Sequence, residues 1–266
     1  MRVLIKGAGD IATGIAIRLH RARFQIIMTE IPVPTTVRRT VSFSSAVTEG
    51  SMTVEGIEAV RIPSVDRAEE TWAAGKIPVL IDPAAACILH LNPDAVVDAI
   101  LAKRNLGTSI ADAPVVIAVG PGFMAGVDCH AVVESNRGHD LGRVILQGSA
   151  APNTGVPGEI GGHGMDRVLR ASAGGVFQQK LDIGTQVKSG DVVGTVDGEP
   201  IIAQIDGILR GVLRSGVVTT AGMKCGDIDP RCALAHCYTV SDKARAIGGG
   251  VLEAILGLYP QDESLG

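Results

Sequence analysis

The side chains with the widest range of chemistry lie close together in a glycine-rich segment, residues 120–164. A cysteine thiolate is a nucleophile when a neighbour lowers its pKa, and His and Glu side chains exchange protons in catalysis. No helical or strand period accounts for the polar residues here, so we expect ordered loops that short buried strands present to a cleft. The candidate catalytic residues are Cys129, His130, His139, Glu159 and His163.

Each of these candidates also has a plainer interpretation. Free cysteines are often buried as small apolar side chains, and charged loop residues are often only solvated. Cys129 and His130 would point to opposite faces of a strand, which argues against a dyad between them. The acid–base pairs that the spacing allows are His139 with Asp140 and Glu159 with His163.

A glycine turn near the N-terminus is a second candidate site. A short apolar strand ends in Gly7-Ala8-Gly9-Asp10-Ile11-Ala12, a helical pattern follows, and residues 24–29 predict a second strand that ends at Glu30. This order matches a GxGxxA dinucleotide fingerprint with an acid placed to bind a ribose. Asp10 would repel a pyrophosphate unless it points away or holds a cation. The candidate cofactor-binding residues are Gly7, Gly9, Asp10, Thr13, Gly14, Glu30, Arg38, Arg39, Gly120 and Gly122.

The arginines and the later glycines join this set because of where they lie. Arg38 and Arg39 follow the second strand, where guanidinium groups could bind a phosphate, and a solvated pair on a helix start is the equal alternative. Gly120 and Gly122 follow an apolar strand at residues 114–119. Ligand crevices of parallel sheets lie at the C-terminal ends of the strands, so these turns are expected to converge.

Strand and helix patterns alternate through the first part of the chain. Residues 53–62 and 77–81 predict extended segments, and residues 66–74 and 93–103 predict helices. This alternation is typical of an α/β fold, a Rossmann-like, mainly parallel sheet with helices on both faces.

An internal repeat follows, because the segment from Gly175 aligns with the segment from Gly207 at an offset of 32 residues. The pattern resembles a small all-β hammerhead module of the biotinyl/lipoyl class. The turn at residues 197–200 lacks the lysine that such carriers modify, so we expect a structural or gating module. We divide the chain into a Rossmann-like unit (1–167), this β module (168–240) and a C-terminal helix (241–266) that returns to the first unit.

Composition narrows the classes of function. A net charge of −4, a pI near 5.9 and 3% aromatic residues disfavour broad contact with nucleic acid or a membrane surface. Five cysteines without paired CxxC spacing, an apolar N-terminal strand and no long apolar run predict a cytoplasmic protein with reduced thiols and no metal site.

Several segments together resemble the YqeB family, described as selenium-dependent molybdenum hydroxylase system proteins. They include GAGDIATGIAIRLHRARF, GPGFMAGVDCHAVVESNRGHDLGRVI, GSAAPNTGVPGEIGGHG, KCGDIDPR and SDKARAIGGGVLEAI, and only Cys232 with residues 233–235 looks unlike the family. The N-terminal unit is also similar to accessory proteins that mature xanthine dehydrogenase. The resemblance implies a cytoplasmic accessory protein whose partner is the hydroxylase apoprotein.

Three functions follow as hypotheses. The first is a maturation factor that binds a nucleotide or a molybdopterin dinucleotide over the glycine turn, with Cys129 handling sulfur or selenium. The second is an NAD(P)-dependent oxidoreductase in which Glu30 binds a ribose and His130, His139 or His163 transfers a proton. The third is a non-catalytic scaffold that docks the hydroxylase. Assembly into a homo-oligomer is a further partner hypothesis.

Overall fold

A nine-stranded sheet forms the larger part of the protein, of which a computed structural model describes residues 1–259. The strand order is β3-β4-β5-β2-β1-β6-β7-β8-β9, and all neighbours run parallel except the edge pairs β3–β4 and β8–β9. The mainly parallel sheet is therefore confirmed. Its strands are β1 (Arg2–Lys6), β2 (Gln25–Glu30), β3 (Ser51–Val54), β4 (Ile57–Ile62), β5 (Ile77–Ile81), β6 (Ala95–Asp98), β7 (Val115–Val119), β8 (Ala131–Val133) and β9 (Val144–Ile145).

Helices cover both faces of this sheet, as expected. Alternate residues of β1 belong to opposite cores, with Val3 and Ile5 on one face and Leu4 on the other. The first core includes α1 and α5, and the second includes α3 and α4. The α-helices are α1 (Asp10–Arg21), α2 (Ala46–Glu49), α3 (Ala68–Ala73), α4 (Ile88–Leu91) and α5 (Asp242–Leu258), and short 3-10 turns occur at Arg39–Val41, Phe43–Ser45, Val65–Arg67 and Leu234–Cys237.

The helix predicted at residues 93–103 is wrong, because this segment contains the central strand β6. All four residues of β6 are buried, and the strand pairs with β1 on one side and β7 on the other. A strand buried on both faces is apolar throughout, and its periodicity cannot be told from that of a buried helix. The segment predicted as extended at 53–62 contains the end of β3, a turn at Glu55 and Gly56, and all of β4, so it belongs to an antiparallel hairpin.

Two four-stranded sheets make up the β module, with orders β10-β17-β15-β12 and β14-β13-β11-β16. The repeat is also visible in the strand pairing. Gly175 pairs with Thr219, and the residues that correspond to them at the offset of 32, Gly207 and Val187, pair with each other. The biotinyl/lipoyl-like assignment and the domain boundaries stay predictions. The strands are β10 (Val168–Arg170), β11 (Gly175–Gln179), β12 (Gln186–Val187), β13 (Val192–Val196), β14 (Glu199–Ile202), β15 (Gly207–Val212), β16 (Val218–Thr219) and β17 (Lys224–Asp229).

Helix α5 returns the chain to the large sheet and packs closely on α1. A Cβ atom added at Gly14 of α1 would lie 2.6 Å from the Ala244 Cβ of α5, so the glycine permits the close approach. The side chain of Ser241 caps α5 by accepting a hydrogen bond from the Ala244 N–H. Within residues 1–259, no helix combines the length and the apolar character needed to cross a bilayer.

Candidate functional site

A cavity of about 440 Å³ lies where the large sheet, the β module and the start of α5 meet. Its wall includes Asp10 and Ile11 from the first turn of α1, and the loops at residues 135–137 and 151–158. The structure thus brings the N-terminal turn and the mid-chain loops to one hollow. The volume falls within the range of about 300–1,000 Å³ that is usual for small-molecule sites.

Basic side chains dominate the wall of this cavity. Among residues 1–259, eight arginines and lysines line it but only two carboxylates, Asp10 and Asp227. Such a lining favours an anionic ligand. The α/β unit and α5 supply Arg38, Lys103, Arg137 and Lys243, and the β module with the residue before it supplies Arg167, Arg170, Arg210 and Lys224.

On the β-module side, the cations are organised around Asp227, a fully buried residue of β17. Its carboxylate accepts hydrogen bonds from Arg167 at 2.5 Å and from the Arg210 Nε at 2.8 Å, and lies 3.5 Å from Lys224. Burial alone would raise the pKa of Asp227, but the charges of Lys224, Arg210 and Arg167 outweigh it and lower the pKa. Asp227 therefore stays ionised and holds three cations in the wall.

Arg38 crosses from the α/β unit toward the same region. One terminal nitrogen lies 3.5 Å from Asp10, and the other donates to the carbonyls of His236 and Thr239 at 2.9 and 3.2 Å. Arg38 is only 6% exposed, and burial lowers the pKa of its guanidinium. The buried position fixes the side chain in the cavity wall.

Glu134 positions the two mid-chain loops of the cavity. This buried carboxylate follows β8 and accepts hydrogen bonds from the Asn136 N–H at 2.6 Å and the Ala151 N–H at 2.7 Å. One side chain thus holds both loops in place. The adjacent Arg137 forms a two-pronged ion pair with Asp242 of α5, at 2.7 and 3.0 Å, which connects a loop to the helix.

Lys243 enters the cavity from the first turn of α5. Two effects lower the pKa of its ammonium group: burial has the larger effect, and repulsion from Arg137 adds to it. A bound anion would counter both effects. The first turns of α1 and α5 both reach the cavity, and their backbone N–H groups without intrahelical acceptors also favour negative charge.

The glycine turn is closed by its own chain. The Glu30 carboxylate accepts hydrogen bonds from the Ala8 N–H at 3.0 Å and the Ile31 N–H at 2.8 Å, and the Ala8 carbonyl accepts from the Ser44 N–H at 2.7 Å. Burial raises the pKa of Glu30 although these amides act in the opposite direction. Glu30, which the sequence predicted to bind a ribose, therefore stabilises the turn through these hydrogen bonds and does not line the cavity.

The other members of the predicted turn site also have structural roles. Thr13 is buried and accepts a hydrogen bond from the Phe43 N–H at 2.8 Å, and Gly14 faces α5. Gly7 has φ +93°, and its backbone packs against residues 99 and 100. Gly9 immediately precedes α1. Of the predicted cofactor-binding residues, only Asp10 and Arg38 line the cavity.

Arg39, Gly120 and Gly122 also lie outside the cavity lining, and their contacts are with other parts of the protein. The Arg39 guanidinium donates to the Val212 carbonyl at 2.8 Å and to the Gln179 side chain at 2.7 Å, so it joins the β module to the α/β unit. Gly120 and Gly122 have φ of +81° and +106° and pack against Ser135 and Arg104, outside the cavity lining. Glycine is required at both positions by the positive φ angle and by the close packing.

Cys129 lacks, within residues 1–259, the neighbour that would lower the pKa of its thiol and make it a nucleophilic thiolate. It is fully buried in the apolar core on the α3 side of the sheet. Burial, and then the nearby Asp128 carboxylate, raise the pKa of its thiol to about 11. His130 accepts a hydrogen bond through Nδ1 from the Val116 N–H at 2.9 Å, a contact within the sheet.

The remaining catalytic candidates, His139, Glu159 and His163, do not line the cavity, although Glu159 lies between the lining residues Gly158 and Ile160. His163 pairs through Nδ1 with Asp166 at 2.5 Å, and not with Glu159 as the spacing suggested. Asp140 accepts a hydrogen bond from Arg143 at 3.3 Å, and the neighbouring His139 is exposed. None of the histidines within residues 1–259 lines the cavity.

Sequence reasoning missed most of the basic residues that do line the cavity. Four come from the strands of the β module or the residue before them, where alternating polar positions read as ordinary solvent-facing residues. The one available signal is the spacing of Lys224 and Asp227 in β17, three residues apart, with Arg210 in the neighbouring strand β15.

The chain is similar to a curated relative from Escherichia coli (strain K12), the "Uncharacterized protein YqeB", at 52% identity over 259 residues. This match covers 97% of the chain and 48% of the relative. This similarity supports the resemblance to the YqeB family that the sequence motifs indicated. The chain thus spans about half the length of that YqeB relative, and no family model matches it.

Solved structures show only weak similarity. An ectoine utilization protein EutE (DoeB) from Ruegeria pomeroyi gives a TM-score of 0.24 at 13% identity, over 76% of this chain and 57% of that one. An aspartoacylase family protein from Mesorhizobium loti gives 0.26 at 12% identity, over 85% and 84%. Neither similarity supports a conclusion about chemistry.

Proposed function

We propose that this protein binds a phosphorylated cofactor, a nucleotide or a molybdopterin-type dinucleotide, as an accessory protein in the maturation of selenium-dependent molybdenum hydroxylases. The observation that carries the binding proposal is the cavity with eight basic residues at the N-terminus of α1. The link to the hydroxylase rests on the family resemblance alone.

The residues present suit a phosphorylated group. Arg38 and Arg167 both line the cavity, and each is only 6% exposed. Guanidinium groups form strong, directional hydrogen bonds to phosphate oxygens. Arg38, Arg137, Arg167, Arg170 and Lys243 all line the cavity and would bind the anion there, and Glu134 would keep the loops in position.

The proposal concerns binding and carriage of a cofactor, and it assigns no catalytic residue. The buried Cys129 does not line the cavity, and its raised pKa opposes a role in sulfur or selenium transfer. The oxidoreductase alternative is weakened similarly, because Glu30 is bound by the turn amides and the cavity lining includes no histidine from residues 1–259.

Thermal unfolding in the presence of different ligands tests the proposal. Molybdopterin cytosine dinucleotide or a cytidine nucleotide should raise the melting temperature of the protein, and Lys243→Met should remove most of the shift. Lys180→Met, an exposed lysine outside the cavity, is the matched control. A shift with NAD(H) or NADP(H) alone would favour the oxidoreductase. Capture of the hydroxylase apoprotein without any ligand response would favour the scaffold.

A further inference from the structure

Three of the basic residues that line the cavity have no carboxylate partner. They are Lys103, Arg170 and Lys243, for which residues 1–259 supply no carboxylate within ion-pair distance. Arg170 donates a hydrogen bond to the Gly222 carbonyl at 2.8 Å, whereas neither lysine ammonium donates one to any of these residues. The positive charge of the two lysines is therefore available to a ligand.

The cations around Asp227 differ from the two lysines because they are already neutralised. Asp227 accepts hydrogen bonds from Arg167 and Arg210 and lies 3.5 Å from Lys224. Arg210 also lies 3.4 Å from Asp229, a second fully buried carboxylate. A cation that is paired in this way attracts a further anion less strongly. These three basic side chains therefore line the cavity without offering their full charge to a ligand.

The two lysines are close enough for their charges to interact. Burial of Lys243 and repulsion from Arg137 and Lys103 lower the pKa of its ammonium group, and Asp10 and Glu134 act in the opposite direction. Both carboxylates are engaged elsewhere, Asp10 in an ion pair of 3.5 Å and Glu134 by two backbone N–H groups. Like charges gathered at a half-buried place repel one another, and a bound anion removes this repulsion.

The loop that carries Lys103 has a strained backbone and firm internal support. Leu101 and Lys103 have φ of +61° and +62°, a conformation that residues other than glycine rarely adopt. The buried Lys6 donates to the Thr108 hydroxyl at 2.6 Å, and this hydroxyl donates to the Asp98 carboxylate at 2.6 Å. Strained backbone persists where the surroundings hold it, and it clusters at ligand sites. The fold thus fixes the backbone of Lys103 at the cavity.

We propose that Lys103 and Lys243 together bind one phosphate group of the ligand, and that this group is a terminal phosphate monoester. A phosphate monoester carries two negative charges near neutral pH and matches the two ammonium groups, whereas a diester carries one. This inference rests on the proposed function and deepens it, since it assigns the phosphate to two of the lining residues and names the ester class.

Calorimetric titration of the whole protein with CMP, 3′,5′-cyclic CMP, cytidine and inorganic phosphate, at constant ionic strength, tests the ester class. CMP should bind about tenfold more tightly than the singly charged cyclic diester, and at least about 100-fold more tightly than cytidine. Equal affinity for CMP and the cyclic diester would overturn the inference and leave the proposed nucleotide binding standing. Binding of none of the four would overturn both.

Variants of the lining residues test the assignment to the two lysines. Lys103→Gln and Lys243→Met should each lower the affinity for CMP about tenfold. Lys224→Gln also removes a charge from the lining, but one that is paired with Asp227, so it should lower the affinity less than about threefold. A larger loss in Lys224→Gln or Arg170→Gln than in Lys103→Gln would place the phosphate elsewhere in the cavity and overturn the inference.

The pH dependence of binding distinguishes a direct contact of Lys243 from a structural role. Phosphate binding opposes the effects that lower its pKa, so the pKa rises in the complex and affinity falls as the free protein loses this proton. Between about pH 7.5 and 9.5, where CMP stays doubly charged, the affinity of the unaltered protein should fall about threefold. Lys243→Met should remove most of this dependence, and an unchanged pH profile in that variant would overturn the contact.

Discussion

At the residue scale, the position of Asp10 is unusual for an anion site. Its carboxylate lies in the first turn of α1, where it stabilises the helix dipole, yet it lines a cavity otherwise rich in cations. Asp10 also lies 3.5 Å from Arg38 and partly neutralises it. The side chain therefore competes with an incoming anion.

We expect Asp10→Asn to increase the affinity for a cytidine nucleotide about three- to tenfold, because it removes one repelling charge and releases Arg38. Asparagine keeps the shape of the side chain. Calorimetric titration measures the change, and Asp140→Asn, outside the cavity, is the matched control. Weaker binding by the Asp10 variant would instead assign this carboxylate a direct role in holding the ligand or a cation.

At the element scale, two adjacent glycines of helix α5, Gly249 and Gly250, differ in how closely other atoms approach them. A Cβ atom added at Gly250 would collide with the Gly142 carbonyl oxygen, whereas one added at the adjacent Gly249 meets no atom within 4 Å. The helix also brings Lys243 to the cavity and pairs with Arg137 through Asp242. Close packing of α5 thus positions part of the site.

Gly250→Ala should lower the free energy of unfolding by about 1–3 kcal/mol, since the close contact must open. Gly249→Ala should raise it by about 0.5–1 kcal/mol, because alanine is the better helix former and has room. Urea unfolding of the two variants measures this pair of opposite effects. A similar loss of stability in both would mean that backbone flexibility, and not contact, explains the glycines.

At the scale of the whole molecule, the cavity exists because the β module docks on the α/β unit. Val212 of β15 donates its N–H to the Val37 carbonyl at 2.8 Å and accepts from Arg39 through its own carbonyl. Arg39 also binds Gln179 of β11. This arginine therefore connects both sheets of the module to the loop that carries Arg38.

Arg39→Ala should lower the free energy of unfolding by about 1–3 kcal/mol, since the Val212 carbonyl loses a charged donor in a partly buried place. Limited proteolysis should also cut the variant faster near the junction of the two parts. Arg143→Ala, which removes an exposed ion pair, should change stability by less than about 0.5 kcal/mol. Unchanged proteolysis and stability in the Arg39 variant would refute this role.

The sequence by itself determined the elements whose signals are local. The strand, glycine turn and helix from Arg2 to Arg21, the parallel sheet and the repeat at an offset of 32 all follow from periodicity and spacing over short stretches. The central strand β6 was mistaken for a helix because burial on both faces removes the alternation that identifies a strand.

Only the tertiary structure decided the composition of the site. The glycine turn suggested a phosphate-binding loop, but the fold satisfies that turn with Glu30 and places the basic cavity beside it. Arg38 and Lys243, which share the cavity wall, are about two hundred residues apart in the chain, and no local pattern connects them. Which charges converge is set by how the β module and α5 pack on the sheet, since burial and pairing depend on distant partners.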